Sequence, residues 1–217
     1  GKICMVTGAT AGIGEAVALA LAGQGATVVG VGRNPQKCAR SRQMIQAQTG
    51  NEQVAFLLAD LSSQAEIRRL AAEFKQMYPR LDVLVNNAGA PFAVRQETVD
   101  GIEMTFALNH LHYFLLTNLL LDVLRASAPA RVINVSSRLH RRGSLDFDDL
   151  EFRRGYGRFK AYQRSKLANV LFTYELARRL AAIGHVEHFE HPVVGRPHLL
   201  HIDHATPRFR AQFFLRL

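Results

Sequence analysis

Residues 7–14 read TGATAGIG and lie between an apolar run, ICMVT (3–7), and a stretch of helical periodicity beginning near residue 13. A glycine-rich turn placed between a strand and a helix is a phosphate-binding device. Gly8 permits the tight turn, while Gly12 and Gly14 let a ligand approach the backbone at the helix N-terminus. Free N–H groups and the positive end of the helix dipole then face a pyrophosphate. This stretch predicts a dinucleotide-binding α/β fold.

Working outward, short β-branched runs alternate with longer helical patterns, as in a parallel sheet covered on both faces. The expected strands are 3–7, 26–32, 53–59, 81–87 and 131–137. The expected helices span about 13–24, 35–48, 64–77, 100–126 and 158–182. The reading is a doubly wound, Rossmann-type parallel sheet with helices on both faces and an incomplete C-terminal part. One domain, 1–182, binds the dinucleotide and carries the last long helix. Residues 183–217 form a divergent tail holding six of the nine histidines, at 185, 188, 191, 198, 201 and 204. HVEHFE (185–190) sets Glu187 and Glu190 among two apolar residues, so this tail does not read as the completion of the same sheet. A histidine triplet without cysteine is a weak zinc pattern, and no metal is expected.

The second strand ends in VVGVGRN, which carries no acid and places Arg33 beside Gly32. A carboxylate there suits the ribose 2′-hydroxyl of NAD, whereas an arginine suits a 2′-phosphate. NADP(H) is the expected cofactor; an exposed loop arginine is the alternative. Asp60, closing the third strand, either contacts the adenine edge or caps the next helix.

Composition narrows the rest. The chain has 217 residues, 48% of them apolar, and no apolar run near the roughly 20 residues that span a bilayer. It opens directly into GKICMVTG without a signal-peptide pattern, and an anchor or targeting segment ahead of that opening is compatible with it. Two cysteines, Cys4 and Cys38, form no disulfide framework and suit a reducing, cytoplasmic setting. The net charge of +9 concentrates in 138–166, a segment that also holds Asp146, Asp148, Asp149 and Glu151. It matches no nucleic-acid motif and reads as a solvated basic face, so nucleic acid is not an expected partner.

In YGRFKAYQRSKLANVLF (156–172), Tyr162 and Lys166 stand four apart on one helical face. Alone, that spacing is more often that of an ordinary amphipathic helix.

TGATAGIG (7–14), NNAG (86–89), NVSS (134–137) and YQRSK (162–166), in this order, resemble the short-chain dehydrogenase/reductase family over residues 1 to about 182. FALNHLHYFLLTNLLL and YQRSKLANVLFTYELARRL look most like its retinol-dehydrogenase-like branch, which includes WW-domain oxidoreductase relatives. The resemblance implies that Tyr162 is the general acid/base, that Lys166 holds the nicotinamide ribose and lowers the tyrosine pKa, and that Ser137 binds the substrate oxygen. Ser136 is the adjacent alternative, since strand alternation turns only one of the two into the site. Asn109 is implied to support a water and the proton path to Lys166. Gly8, Thr10, Gly12, Ile13, Gly14, Arg33, Asp60, Leu61, Asn86, Ala88 and Gly89, with Tyr162 and Lys166, are implied to bind the cofactor. Phe147, Phe152, Tyr156 and Phe159 either line an apolar substrate mouth or anchor their loop to the core.

The expected activity is NADP(H)-dependent interconversion of a carbonyl and an alcohol on a small, apolar substrate, by a homodimer pairing through the long helices. The resemblance weakens past residue 182. His191-Pro192 falls where the family's Pro-Gly turn begins, with Val193 in place of glycine, and too few residues follow for the usual substrate lobe. A cofactor-binding, non-catalytic member with a binding or regulatory role is therefore the second reading.

Overall fold

The computed structural model describes residues 1–180 in full, the helix end at 181–182, and three later strands as backbone. The apolar run ICMVT forms β1 (Ile3–Thr7), buried over Cys4–Thr7. It lies at the centre of the sheet, hydrogen-bonded in parallel to β2 (Thr27–Gly32) on one side and β4 (Val83–Asn86) on the other. β3 (Val54–Leu58) flanks β2, and β5 (Arg131–Val135) flanks β4, giving the parallel order β3-β2-β1-β4-β5. Strand order reverses between β1 and β4, which opens a crevice at the carboxyl ends of those two strands.

Alternation along each strand splits the core into two layers. Met5, Val29, Leu57, Leu84 and Val132 face α3 (Gln64–Met77), α5 (His112–Leu119) and α7 (Arg158–Ala182). Cys4, Val6, Val28, Val54, Val85 and Ile133 face α1 (Gly12–Gly23) and α2 (Pro35–Thr49). Local chemistry places the helix ends. Asn34 caps α2 by accepting from Lys37 N at 2.9 Å, with Pro35 opening the helix and Gly50, at φ 67°, closing it. Ser63 caps α3.

The single helix expected over 100–126 is broken. The buried carboxylate of Glu103 accepts from Thr105 N and Phe106 N, both at 2.7 Å, so α4 begins at Met104 (Met104–Phe106). A π turn follows at Ala107–Leu111, then α5, then α6 (Leu121–Ala126). β5 also stops at Val135 instead of running to 137, because Ser137 caps a 3₁₀ turn, Arg138–Arg142.

Beyond residue 182 the sheet continues, in contrast to the patterning of the tail. β8 (Phe209–Phe214) runs parallel beside β5, β6 (Val186–Val193) parallel beside β8, and β7 (Arg196–His201) antiparallel beside β6. His191 and Pro192 stand inside β6, not at a turn. Backbone pairing of this kind needs no apolar alternation. The side chains of the histidine triplets lie outside the described residues. Among the described residues, no helix is long and apolar enough to cross a membrane.

Candidate active site

The glycine turn builds one end of the crevice. Gly8 (φ 68°) and Gly12 (φ 57°) take the left-handed region open to glycine. A Cβ on Gly14 would lie 2.3 Å from the Gly8 carbonyl oxygen and 2.5 Å from Asn87 Nδ2. Ala11, at the head of α1, has extended backbone and offers no side-chain cap. The first N–H groups of α1 are thus left to an anion, and the residues present fit a dinucleotide pyrophosphate.

Thr7 ties this turn to the end of β4. Its hydroxyl accepts from Asn87 N at 2.9 Å and Ala88 N at 3.1 Å. Asn87 Nδ2 in turn donates to the Thr7 carbonyl at 2.9 Å. Asn87, Ala88 and Gly89 line the cleft. Asn86, expected there, does not: its Nδ2 donates inward to Thr117 Oγ1 at 3.0 Å and Asn134 Oδ1 at 2.8 Å. Pleating sends adjacent residues to opposite sides, and NNAG holds two asparagines, so composition alone could not choose between them.

The adenosine end is assembled from loops. A Cβ on Gly32 would lie 2.8 Å from Thr10 Cγ2, so the glycine turn and the end of β2 pack together and bring Arg33 alongside. Arg33 is exposed and has no ion pair or hydrogen bond among the described residues. Asp60 Oδ1 accepts from Ser62 N at 2.9 Å and Ser62 Oγ at 2.7 Å, closing a turn, while Ser63 caps α3 itself. The Leu61 side chain departs from expectation. It lines a separate cavity of about 110 Å³ between α3 and the π turn, with Ile67, Leu111 and His112.

The main cleft, about 700 Å³, runs from Gly8, Ala11 and Ile13 past Gly89 to Ser137, Tyr162 and Lys166. It brings together residues singled out just after β5 and on α7. Ser136 Oγ is buried and donates to the Lys166 carbonyl at 3.0 Å. Ser137 instead lines the cleft together with Tyr162, and its hydroxyl acts to lower the tyrosine pKa. The pleat thus settles which serine meets the tyrosine.

Burial raises the Tyr162 pKa, and the nearby Ser137 hydroxyl only partly offsets it. The lowering expected from Lys166 is not found. Lys166 Nζ donates to the Val135 carbonyl at 2.8 Å and sits 5.7 Å from the Tyr162 ring centre. Lys166 is itself buried, which brings its pKa down to about 7.

Asn109 sits in the π turn, a feature frequent at functional sites. Its Oδ1 accepts from Ala90 N at 2.8 Å, and its Nδ2 donates to Ser165 Oγ at 3.1 Å. Its carbonyl accepts from Asn169 Nδ2 at 2.8 Å. A Cβ on Gly89 would lie 2.8 Å from Asn109 Oδ1, so that loop approaches the π turn closely. Ser165 and Asn169 belong to this network and escaped the sequence reading; their i, i+4 spacing on α7 was the available signal.

The loop after Ser137 is held from below by Arg164. Its guanidinium is buried, donates to the Ser144 carbonyl at 3.1 Å and to the Asp149 carbonyl, and lies 3.6 Å over the Phe152 ring. Tyr156 OH donates to the Phe92 carbonyl at 2.9 Å. Phe152 and Tyr156 therefore anchor the loop, while Phe147 and Phe159 are exposed. Arg138, Arg141, Arg142, Arg153, Arg154, Arg158 and Lys160 are all exposed.

A dinucleotide turn, a serine–tyrosine pair and a lysine one helical turn further on, all on a doubly wound sheet, define a nucleotide-binding oxidoreductase. The family model described as short chain dehydrogenase matches residues 2–187, and the chain belongs to that family. Its relatives place it in the retinol-dehydrogenase-like branch. It is 46% identical over 200 residues to Retinol dehydrogenase 13 of Homo sapiens, covering 92% of this chain and 60% of the relative. It is 44% identical over 200 residues to Retinol dehydrogenase 12 of Homo sapiens, covering 92% and 63%. The chain thus spans about 60% of the length of these curated relatives.

Among solved structures, an uncharacterised protein from Mycobacterium paratuberculosis superposes with a TM-score of 0.75 at 40% identity, covering 84% of this chain and 64% of that one. The Pseudomonas aeruginosa RhlG/NADP active-site complex superposes at 0.68 with 34% identity, covering 84% and 68%.

Proposed function

We propose that the chain is an NADP(H)-dependent oxidoreductase that interconverts a carbonyl and an alcohol on a small, apolar substrate. The observation that carries this reading is the Ser137–Tyr162 hydroxyl pair, which opens on the same cleft as the glycine turn. Backbone N–H groups at the head of α1 would hold the pyrophosphate, and the exposed guanidinium of Arg33 would take the 2′-phosphate. A nicotinamide held there would supply or accept the hydride. Ser137 holds the substrate oxygen against Tyr162. In reduction the phenol gives its proton to that oxygen; in oxidation the phenolate takes it back.

Burial keeps Tyr162 a phenol, so it is placed as an acid, which suits carbonyl reduction. Lys166 is one turn away to bind ribose hydroxyls and to bring positive charge toward the phenol. Retinaldehyde and retinol head the substrates to assay, because the relatives carry the retinol dehydrogenase name. Phe114, Leu171 and Tyr174, exposed on α5 and α7, form the apolar face through which we propose a homodimer forms. Buried, free Cys4 and Cys38 suit a reducing compartment such as the cytoplasm.

The test is NADPH and NADH titration by fluorescence, followed by NADPH consumption with retinaldehyde and a panel of aldehydes and ketones. Wild type turns over, and Tyr162→Phe binds NADPH without turnover. Saturable binding without turnover by wild type would establish the binding-only reading instead. Loss of all dinucleotide binding would sink both.

A further inference from the structure

Tyr113 is fully buried on α5, and none of the roles above uses it. Its hydroxyl donates to the Val135 carbonyl at 3.4 Å, the same oxygen that accepts from Lys166 Nζ at 2.8 Å. Its ring centre lies 5.4 Å from that Nζ, slightly nearer than the Tyr162 ring at 5.7 Å. Both distances are within reach of a cation–π contact. The Tyr113 ring packs at right angles to that of His112, at 4.4 Å between ring centres, and His112 is fixed through its Nδ1 contact with the Leu108 carbonyl. Val135 ends β5 two residues before Ser137.

We propose that Tyr113 is a positioning residue for the acid/base pair: its hydroxyl fixes the Val135 carbonyl, and its ring stabilises the Lys166 ammonium bonded there. The proposal rests on the reading of Tyr162 and Lys166 as that pair. Through one carbonyl, Tyr113 joins the helix after the π turn to the strand end that delivers Ser137 and to the lysine that serves Tyr162.

The surroundings favour this role. The groups that face Lys166 are Tyr162 on its own helix, Tyr113 on α5, and the imidazoles of His110 and His112, both of which feel its charge. Gly89, after β4, approaches the ammonium, while Ser136, after β5, bonds the Lys166 main-chain carbonyl instead. Among the described residues no carboxylate acts on the ammonium; burial lowers its pKa. Aromatic faces and one carbonyl are therefore what hold the cation. Burial keeps Tyr113 a phenol, so it remains a donor to Val135.

The experiment follows the Lys166 ¹³Cε resonance against pH in the full chain, assigned with Lys166→Arg. Tyr113→Leu removes ring and hydroxyl and should lower the titration midpoint by about 0.4–1.5 pH units, the worth of a cation–π contact. Tyr113→Phe keeps the ring and loses only the 3.4 Å hydroxyl contact, so its midpoint stays near that of wild type. Trifluorophenylalanine at 113 keeps the shape, weakens the ring face and should lie between, which tests the proposal even if Tyr113→Leu fails to fold. Unmoved midpoints in both the leucine and trifluorophenylalanine proteins, or an equal fall in Tyr113→Phe, would overturn it. The titration needs no turnover, so an inactive chain would sink the proposed function and leave this test standing.

Discussion

Gly14 stands so close to Gly8 that a Cβ on the first would lie 2.3 Å from the carbonyl oxygen of the second. The contact is backbone on backbone, so no rotamer change relieves it. Gly14→Ala should cost about 1–3 kcal/mol of stability by overpacking and weaken NADPH binding by about tenfold or more. Gly12→Ala meets no protein atom within 4 Å and adds only the strain of φ 57° to the fold, so it should be the milder change for stability. Thermal melts on the two variants check the order; equal losses would count against the close approach as the cause.

Arg33 tests the choice of dinucleotide. A charge-assisted bond to phosphate is worth about 1.5–3 kcal/mol, or roughly 10–100-fold in affinity. Arg33→Ala should lose that much for NADPH and change NADH by less than about twofold. Equal losses for both would remove the phosphate role.

Lys166 gives stability a pH dependence of definite sign. Its folded pKa, about 7, lies below the unfolded value near ~10.4. Between those values the unfolded chain binds more protons, so stability should rise with pH from about 7 towards ~10. Below about 7 both states carry the charge and the burial penalty is felt in full. Urea unfolding of wild type at several pH values in this window should show the rise, and Lys166→Met should flatten it. A wild-type slope of opposite sign would show that other groups dominate.

Arg164 holds the loop that borders the cleft. Arg164→Met deletes two bonds to carbonyl oxygens and the cation above Phe152. It should cost about 2–4 kcal/mol and open the loop at 143–155 to proteolysis, with NADPH affinity retained because the glycine turn is untouched. Arg164→Lys should not rescue, since one ammonium cannot span the two carbonyls and stack on the ring. Limited proteolysis with mass mapping reads the result.

Much of this was legible in the sequence, for physical reasons. The runs at 3–7 and 64–77 became β1 and α3 over those same residues, because apolar period and caps agreed. The π turn was not legible: one extra residue per turn leaves the apolar pattern around Asn109 continuous. Asn86 and Asn87 differ only in which side of a pleat they occupy, and the bonds made by Thr7 and Thr117 decide that. Arg164 read as one more cation on a basic face, yet it is buried because neighbouring carbonyls and Phe152 replace its water. Nothing in the spacing foretold that Lys166 would turn to the Val135 carbonyl.

The π turn at Ala107–Leu111 also acts as a phase boundary. Thr105, before it, answers to the Tyr156 side of the cleft; Tyr113 and Leu116, after it, answer to β5 and the core. A π turn holds about one residue more than an α turn, so removing one residue within it would restore an ordinary α-helix and leave the two flanks facing much as they do. Removing one residue from α5 instead would turn everything after it by about 100°. Changes of length in this helix are therefore absorbed at the turn and nowhere else along it.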